Sequence, residues 1–208
     1  IDLGRYLFFD PVLSVDGSVS CASCHDPAQG FADGRAQAVG IDGHTLPRSA
    51  PSLWNIGFFS TLLWDGSKNS LEEQMQGPLY SPLEMGNNPA QLLETLNDNH
   101  TYRALFEQAF GTDTITLDQV YTAVTAFEGS LISLNSRYDL YAHGYHAALN
   151  EEEIAGLNVF RSFVARCAEC HTPPLFSNQQ LAVLGVADAP GEIMDPGAEA
   201  ITGDASQR

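Results

Sequence analysis

The chain has 208 residues, 44% of them hydrophobic, and sets 26 Asp and Glu against 9 Lys and Arg for a formal net charge of −17. That length holds one large domain or two small ones, and no apolar run approaches the ~20 residues that span a bilayer as a helix. So acidic a surface excludes nucleic acid as a partner, because phosphate binding needs clustered Lys and Arg, whereas a basic partner would be steered toward it.

The chain opens on Ile1-Asp2-Leu3-Gly4, with no charged and apolar leader in view, so any export signal has been removed or excluded. The first hundred residues are rich in turns, at Asp16-Gly17, Asp33-Gly34, Asp42-Gly43 and Asp65-Gly66, and strand-like alternation is scarce. Helices announce themselves by their caps. Ser70 with Glu73 is a capping-box pattern opening Leu71–Gln76. Asn88 before Pro89 opens a helix to about Leu96. Thr101 is read as the cap of a segment carrying Leu105, Phe106, Ala109 and Phe110, ended by Gly111. The longest helix is expected from Thr116, boxed by Gln119, with Val120, Val124, Phe127, Leu131 and Leu134 on one face and Gly129 as an interruption. After a polar stretch from Ser136 to Asn150, where the boundary between halves is placed, Glu151, Glu152 and Glu153 open another helix. Its face is Ile154, Leu157, Phe160 and Val164.

Two pentapeptides carry the chemistry: Cys21-Ala22-Ser23-Cys24-His25 and Cys167-Ala168-Glu169-Cys170-His171. They use every cysteine of the chain, and C-x-x-C-H reads as a c-type haem attachment. Two thiols add across the haem vinyl groups, and the adjacent histidine binds iron. A zinc site would place its two Cys pairs about 15–20 residues apart, and here most of the molecule separates them. A redox C-x-x-C favours a βαβ context, and a structural disulfide leaves both histidines idle. Two covalently bound c-type haems are therefore expected.

The architecture follows as mainly α, with two cytochrome c-like haem domains and long haem-wrapping loops. Residues 1–140 form an N-terminal haem domain and residues 141–208 a C-terminal one. Small helical units gain from the haem an apolar disc that their own chain lacks. The second domain looks incomplete, since only a short stretch follows His171 before Ser206-Gln207-Arg208, and the sequence is expected to be a fragment.

Several stretches resemble the bacterial di-haem cytochrome c peroxidase family, which includes the MauG-like enzymes. They are Leu3-Gly4-Arg5-Tyr6-Leu7-Phe8-Phe9-Asp10-Pro11, the first haem motif, Trp64-Asp65-Gly66, Leu71-Glu72-Glu73-Gln74, Gly77-Pro78 and Glu84-Met85-Gly86. The second motif with Pro174-Leu175-Phe176-Ser177-Asn178 completes the set, in order along essentially the whole chain. The resemblance implies that His25 is the proximal ligand of a peroxide-reacting haem and His171 that of an electron-transfer haem. Trp64 would conduct electrons between them, and Glu84 would be the distal acid that shuttles a proton during O–O cleavage. Gln74 and Pro78 would line the same pocket. Without the resemblance, Trp64 reads as a core aromatic beside a turn and Glu84 as a solvent-facing loop residue.

Two departures qualify it. Many members hold a distal histidine where Ile41 stands here, and isoleucine cannot bind iron. His44 could serve only after a shift of its loop, so an open sixth position is expected, as in the MauG-like members. The family's Arg-Asn-x-Pro reads Arg48-Ser49-Ala50-Pro51, so Ser49 is the calcium candidate, with a shorter arm than asparagine. His100, His143 and His146 match no ligand and are assigned to the surface or to caps. Met194 is a weak candidate for the second haem's distal ligand.

The function implied is reduction of hydrogen peroxide at the first haem with electrons relayed through the second, supplied by a small cytochrome c or copper protein. One alternative is a MauG-like enzyme that oxidises a side chain of a partner protein. Another is a di-haem electron carrier with no enzymatic role, against which Ile41 and Glu84 argue. Covalent haem attachment implies an exported, periplasmic protein, and the resemblance admits a homodimer.

Overall fold

The computed structural model describes residues 1–185 and 194–207. Among them there are nine α-helices, several single 3-10 turns and no strands, only three isolated antiparallel bridges. The helices are α1 (Asp2–Phe9), α2 (Cys21–Cys24), α3 (Leu71–Tyr80), α4 (Pro89–Asp98), α5 (His100–Phe110), α6 (Leu117–Glu128), α7 (Arg137–Ala142), α8 (Glu151–Phe160) and α9 (Glu199–Thr202). The mainly α expectation holds.

The caps explain where most helices start. Asn88 Oδ1 accepts the Gln91 N–H at 3.0 Å, and Thr116 and Asn150 each close a reciprocal box with Gln119 and Glu153. Four expectations need correction. α5 is capped by Asn99, whose Oδ1 accepts from Thr101 and Tyr102, so Thr101 lies inside the helix. α3 runs four residues past Gln76 with Pro78 inside it. α6 stops at Glu128 and not near Leu134, because Gly129 caps it and the chain turns through Ser130 and Leu131. α8 stops at Phe160, short of Val164, since Ser162 Oγ takes the Val159 carbonyl and then accepts the Ala165 N–H. The polar stretch after Ser136 contains a further boxed helix, α7.

Among the described residues the main core cluster runs from Leu3 to Leu131. Leu3, Leu7 and Phe8 of α1 meet Val120, Ala123, Val124 and Phe127 of α6, with Leu92, Leu96 and Phe106 of α4 and α5 filling the rest. Each of the Val, Leu and Phe side chains among them contributes about 1.5–3 kcal/mol on burial. α1 lies so close on α6 that a Cβ on Gly4 would stand 1.7 Å from the Ala123 carbonyl oxygen. α8 has no such helix against it among the described residues: Ile154, Leu157 and Phe160 are only half-buried, and Phe163 and Val164 are 95% and 94% exposed. No helix among the described residues is long and apolar enough to cross a membrane.

Candidate haem sites

The first motif is folded as the single turn α2 followed by His25. Ser20 and Ser23 close its box, and the His25 N–H returns to the Cys21 carbonyl at 2.9 Å. Phe8 of α1 lies against the imidazole at 6.4 Å between ring centroids, tilted by 43°. The chain then turns back so that the Phe31 carbonyl meets His25 Nδ1 at 2.9 Å. Holding Nδ1 as a donor leaves Nε2 as the free lone pair, the arrangement a metal-ligating histidine needs. Burial also lowers the imidazole's proton affinity, against hydrogen bonds with Phe31 and Pro51 that favour the proton.

The second motif repeats this arrangement. The His171 N–H returns to Cys167 at 2.9 Å, Phe160 of α8 lies 6.4 Å from the imidazole tilted by 44°, and the Phe176 carbonyl meets Nδ1 at 3.2 Å. Phe31 and Phe176 even share a left-handed backbone, at φ 58° and 54°, rare for bulky residues. Both sites thus use a phenylalanine before the motif and a carbonyl after it. The sequence carries this repeat only as a Phe five or six positions past each histidine, too weak a signal to find alone.

The donor chemistry fits haem and not the competing groups. No disulfide joins any of the four cysteines. Burial, and secondarily the charge of Glu128, pushes the Cys21 thiol up to about 12. Cys24 is raised by burial, Asp33 and Glu84. A redox or metal-binding pair needs the opposite shift, so the first motif does not fit that chemistry. Among the described residues no three of His, Cys, Asp and Glu converge to hold a metal ion, so the two pairs form no shared zinc site.

Glu84 sits where the loop after α3 is held by the helix's own last carbonyls. The Met85 N–H donates to Pro78 at 3.1 Å, and those of Glu84 and Gly86 donate to Ser81 at 3.1 and 2.8 Å. Pro78, lacking an N–H, frees the Gln74 carbonyl within the helix. The tip of the loop 38–48 lies on this segment. The Ile41 N–H donates to the Glu84 carbonyl at 2.9 Å, and a Cβ on Gly40 would stand 1.9 Å from the Leu83 oxygen. Ile41 is 7% exposed, while His44 is exposed. Glu84 is therefore brought within electrostatic reach of the first motif, and Gln74 and Pro78 share its supporting helix.

Trp64 stands 75% exposed at the head of a turn closed by the Leu62–Lys68 bridge, so the core reading of it is wrong. The segment after the second motif docks on its loop. Gln179 Nε2 donates to the Phe58 carbonyl at 3.1 Å, its Oε1 accepts the Ser60 N–H at 3.2 Å, and Leu181 lies beside Gly66. Ser49 is exposed. His100, His143 and His146 are exposed too, His146 edge-on to Tyr141. Met194 is half-exposed, and the loop before it lies outside the described residues. Arg48, which donates to both Asp65 and Asp195, and Glu128, buried beside the first motif, were not expected from the sequence.

The family model for di-haem cytochrome c peroxidase matches residues 1–147. The chain is 33% identical over its whole length to the cytochrome c551 peroxidase of Nitrosomonas europaea, covering 62% of that protein. It is 36% identical over 89% of its length to the methylamine utilization protein MauG of Methylorubrum extorquens, covering 53% of that protein. A crystal structure of a MauG-like protein associated with microbial copper homeostasis superposes with a TM-score of 0.83 at 32% identity, over 98% of this chain and 64% of that one. The chain thus spans between half and two thirds of the length of these relatives. On the family match and on the identity to these relatives, the chain belongs to the di-haem cytochrome c peroxidase family, whose members carry two c-type haems.

Proposed function

We propose that the protein reduces hydrogen peroxide to water at the haem held by Cys21, Cys24 and His25, with electrons relayed from the haem held by Cys167, Cys170 and His171. The observation that carries this reading is the placement of Glu84: its loop is clamped by Ile41 and Gly40, and its charge reaches Cys24. The haem supplies a redox-active iron that binds peroxide when the cofactor is in place. His25, aligned by the Phe31 carbonyl, offers Nε2 from one side. Glu84 would move a proton between the two oxygens of peroxide held there, in a conversion that takes two electrons and two protons overall to give two waters. Gln74 and Pro78 line the pocket. Trp64, on the loop where the segment after the second motif docks, passes electrons between the two sites.

A division into two haem-bearing halves, drawn at residues 140 and 141, accompanies this reading; a core cluster that ends at Leu131 supports two halves, while α7 (Arg137–Ala142) runs through the point itself. Electrons come from a small cytochrome c or copper protein in the periplasm. Ile41 favours a second reading, because a buried isoleucine bonded to the Glu84 backbone would bring no ligand to an iron bound there. An open face of this kind also suits oxidation of a side chain on a protein partner. The test is stopped-flow mixing of the full-length di-haem protein with peroxide. Glu84→Gln should slow the reaction about 100-fold or more with the ferric spectrum unchanged. An unchanged rate removes Glu84 from the mechanism, and two low-spin haems inert to peroxide in the parent protein overturn the enzyme reading.

A further inference from the structure

The guanidinium of Arg48 joins three parts of the chain that the relay needs together. Nη1 donates to Asp65 Oδ2 at 2.8 Å, while Nε and Nη2 donate to Asp195 Oδ2 and Oδ1 at 2.7 and 2.8 Å. Asp65 follows Trp64 directly, and its other oxygen accepts the Ser67 N–H at 3.0 Å, so this carboxylate shapes the Trp64 turn. Asp195 lies beyond the second motif and organises its own turn by accepting the Gly197 N–H at 2.8 Å. The Arg48 backbone belongs to the loop that supports Glu84. Its carbonyl accepts the Ala38 N–H at 3.0 Å, and the Leu46 N–H returns to the Ala38 carbonyl at 2.8 Å.

A surface ion pair is ordinarily worth little. Here the fork is bidentate on one carboxylate, single on another, and only about one third exposed, a geometry that is both stronger and more directional. Lysine, a point charge on a flexible stem, cannot hold both partners in this plane. Without the cation, two carboxylates from distant segments would face each other unpaired.

We propose that Arg48 is a positioning residue that fixes the Trp64 turn against the segment beyond the second motif, so that electron passage between the haems depends on its fork. This rests on the relay role given to Trp64. The experiment uses the full-length di-haem protein and the variants Arg48→Lys, Asp195→Asn and Trp64→Phe. Hydrogen–deuterium exchange of segments 62–68 and 194–203 reads the clamp independently of catalysis. Arg48→Lys should speed exchange at least tenfold in both segments, and Asp195→Asn in the second alone. Inter-haem transfer, followed after one-electron photoreduction, should slow at least tenfold in Arg48→Lys. The reaction of the pre-reduced first haem with peroxide should change less than twofold. Unchanged exchange in Arg48→Lys and Asp195→Asn overturns the clamp. Slowed transfer in Trp64→Phe beside unchanged transfer in Arg48→Lys overturns this inference alone, and unchanged transfer in Trp64→Phe overturns the relay and the inference with it.

Discussion

Glu128 is 5% exposed, and its Oε2 finds no hydrogen-bond partner. Burial first, and then the charge of Glu72, pushes its carboxyl up to about 8. Since that value lies above the ordinary 4.5, the folded state keeps a proton that the unfolded state loses between about pH 4.5 and 8. Stability therefore falls as pH rises through this window. In Glu128→Gln, melting temperature followed by circular dichroism should stay nearly level from pH 5 to pH 8, where the parent drops by several degrees. Parallel slopes in the two proteins would refute the assignment. Residues such as this mark the limit of what a sequence discloses. Ser70, Asn88, Thr116 and Asn150 were legible because a cap bonds to backbone three positions away. Nothing local distinguishes Glu128 from the other acids, and Arg48 meets Asp195 across 147 positions. Reading outward from its motif led instead to its neighbour Ser49, which is exposed.

Among the elements, the helices with boxes were legible at their starts, and α6 and α8 were overdrawn at their ends. Periodicity continues past Gly129 and Phe160 because Leu131 and Val164 fall in register by chance, while the backbone has already turned. α1 has no side-chain cap at its start and only Asp10-Pro11 to mark its end, and the resemblance is what singled out its residues. Its place is set by contact. The crossing of α1 and α6 brings backbone to backbone at Gly4, with Ala123 the obstacle to any larger side chain. Gly4→Ala should therefore destabilise the fold by about 1–3 kcal/mol, the usual penalty of overpacking, and chemical denaturation of the di-haem protein would measure it. A midpoint unchanged in Gly4→Ala would mean that the two helices are not held this closely. Because Phe8 of α1 lies on His25, the same substitution should also perturb the first haem's absorption more than the second's.

For the whole molecule, the two motifs disclosed the cofactors directly, and the resemblance supplied the order of parts between them. The docking of the segment after the second motif onto residues 58–66 was not legible, since amide contacts from Gln179 leave no pattern in the sequence. Charge acts at this scale too. With a net charge of −17, reduction by a basic small redox protein should slow roughly tenfold between low and physiological salt. An acidic donor should show the reverse trend, and stopped-flow reduction at several ionic strengths separates the two.

The Phe–His–carbonyl arrangement found twice has a bearing on how the molecule is put together. Each imidazole is oriented by a carbonyl five or six positions away, contacts that close quickly because the intervening loop is short. The joints between the halves, at Arg48 and at Gln179, span more than a hundred positions and close late. Local contacts alone can therefore array the thiols and histidine within each motif, whereas the alignment of one motif with the other depends on these long-range joints.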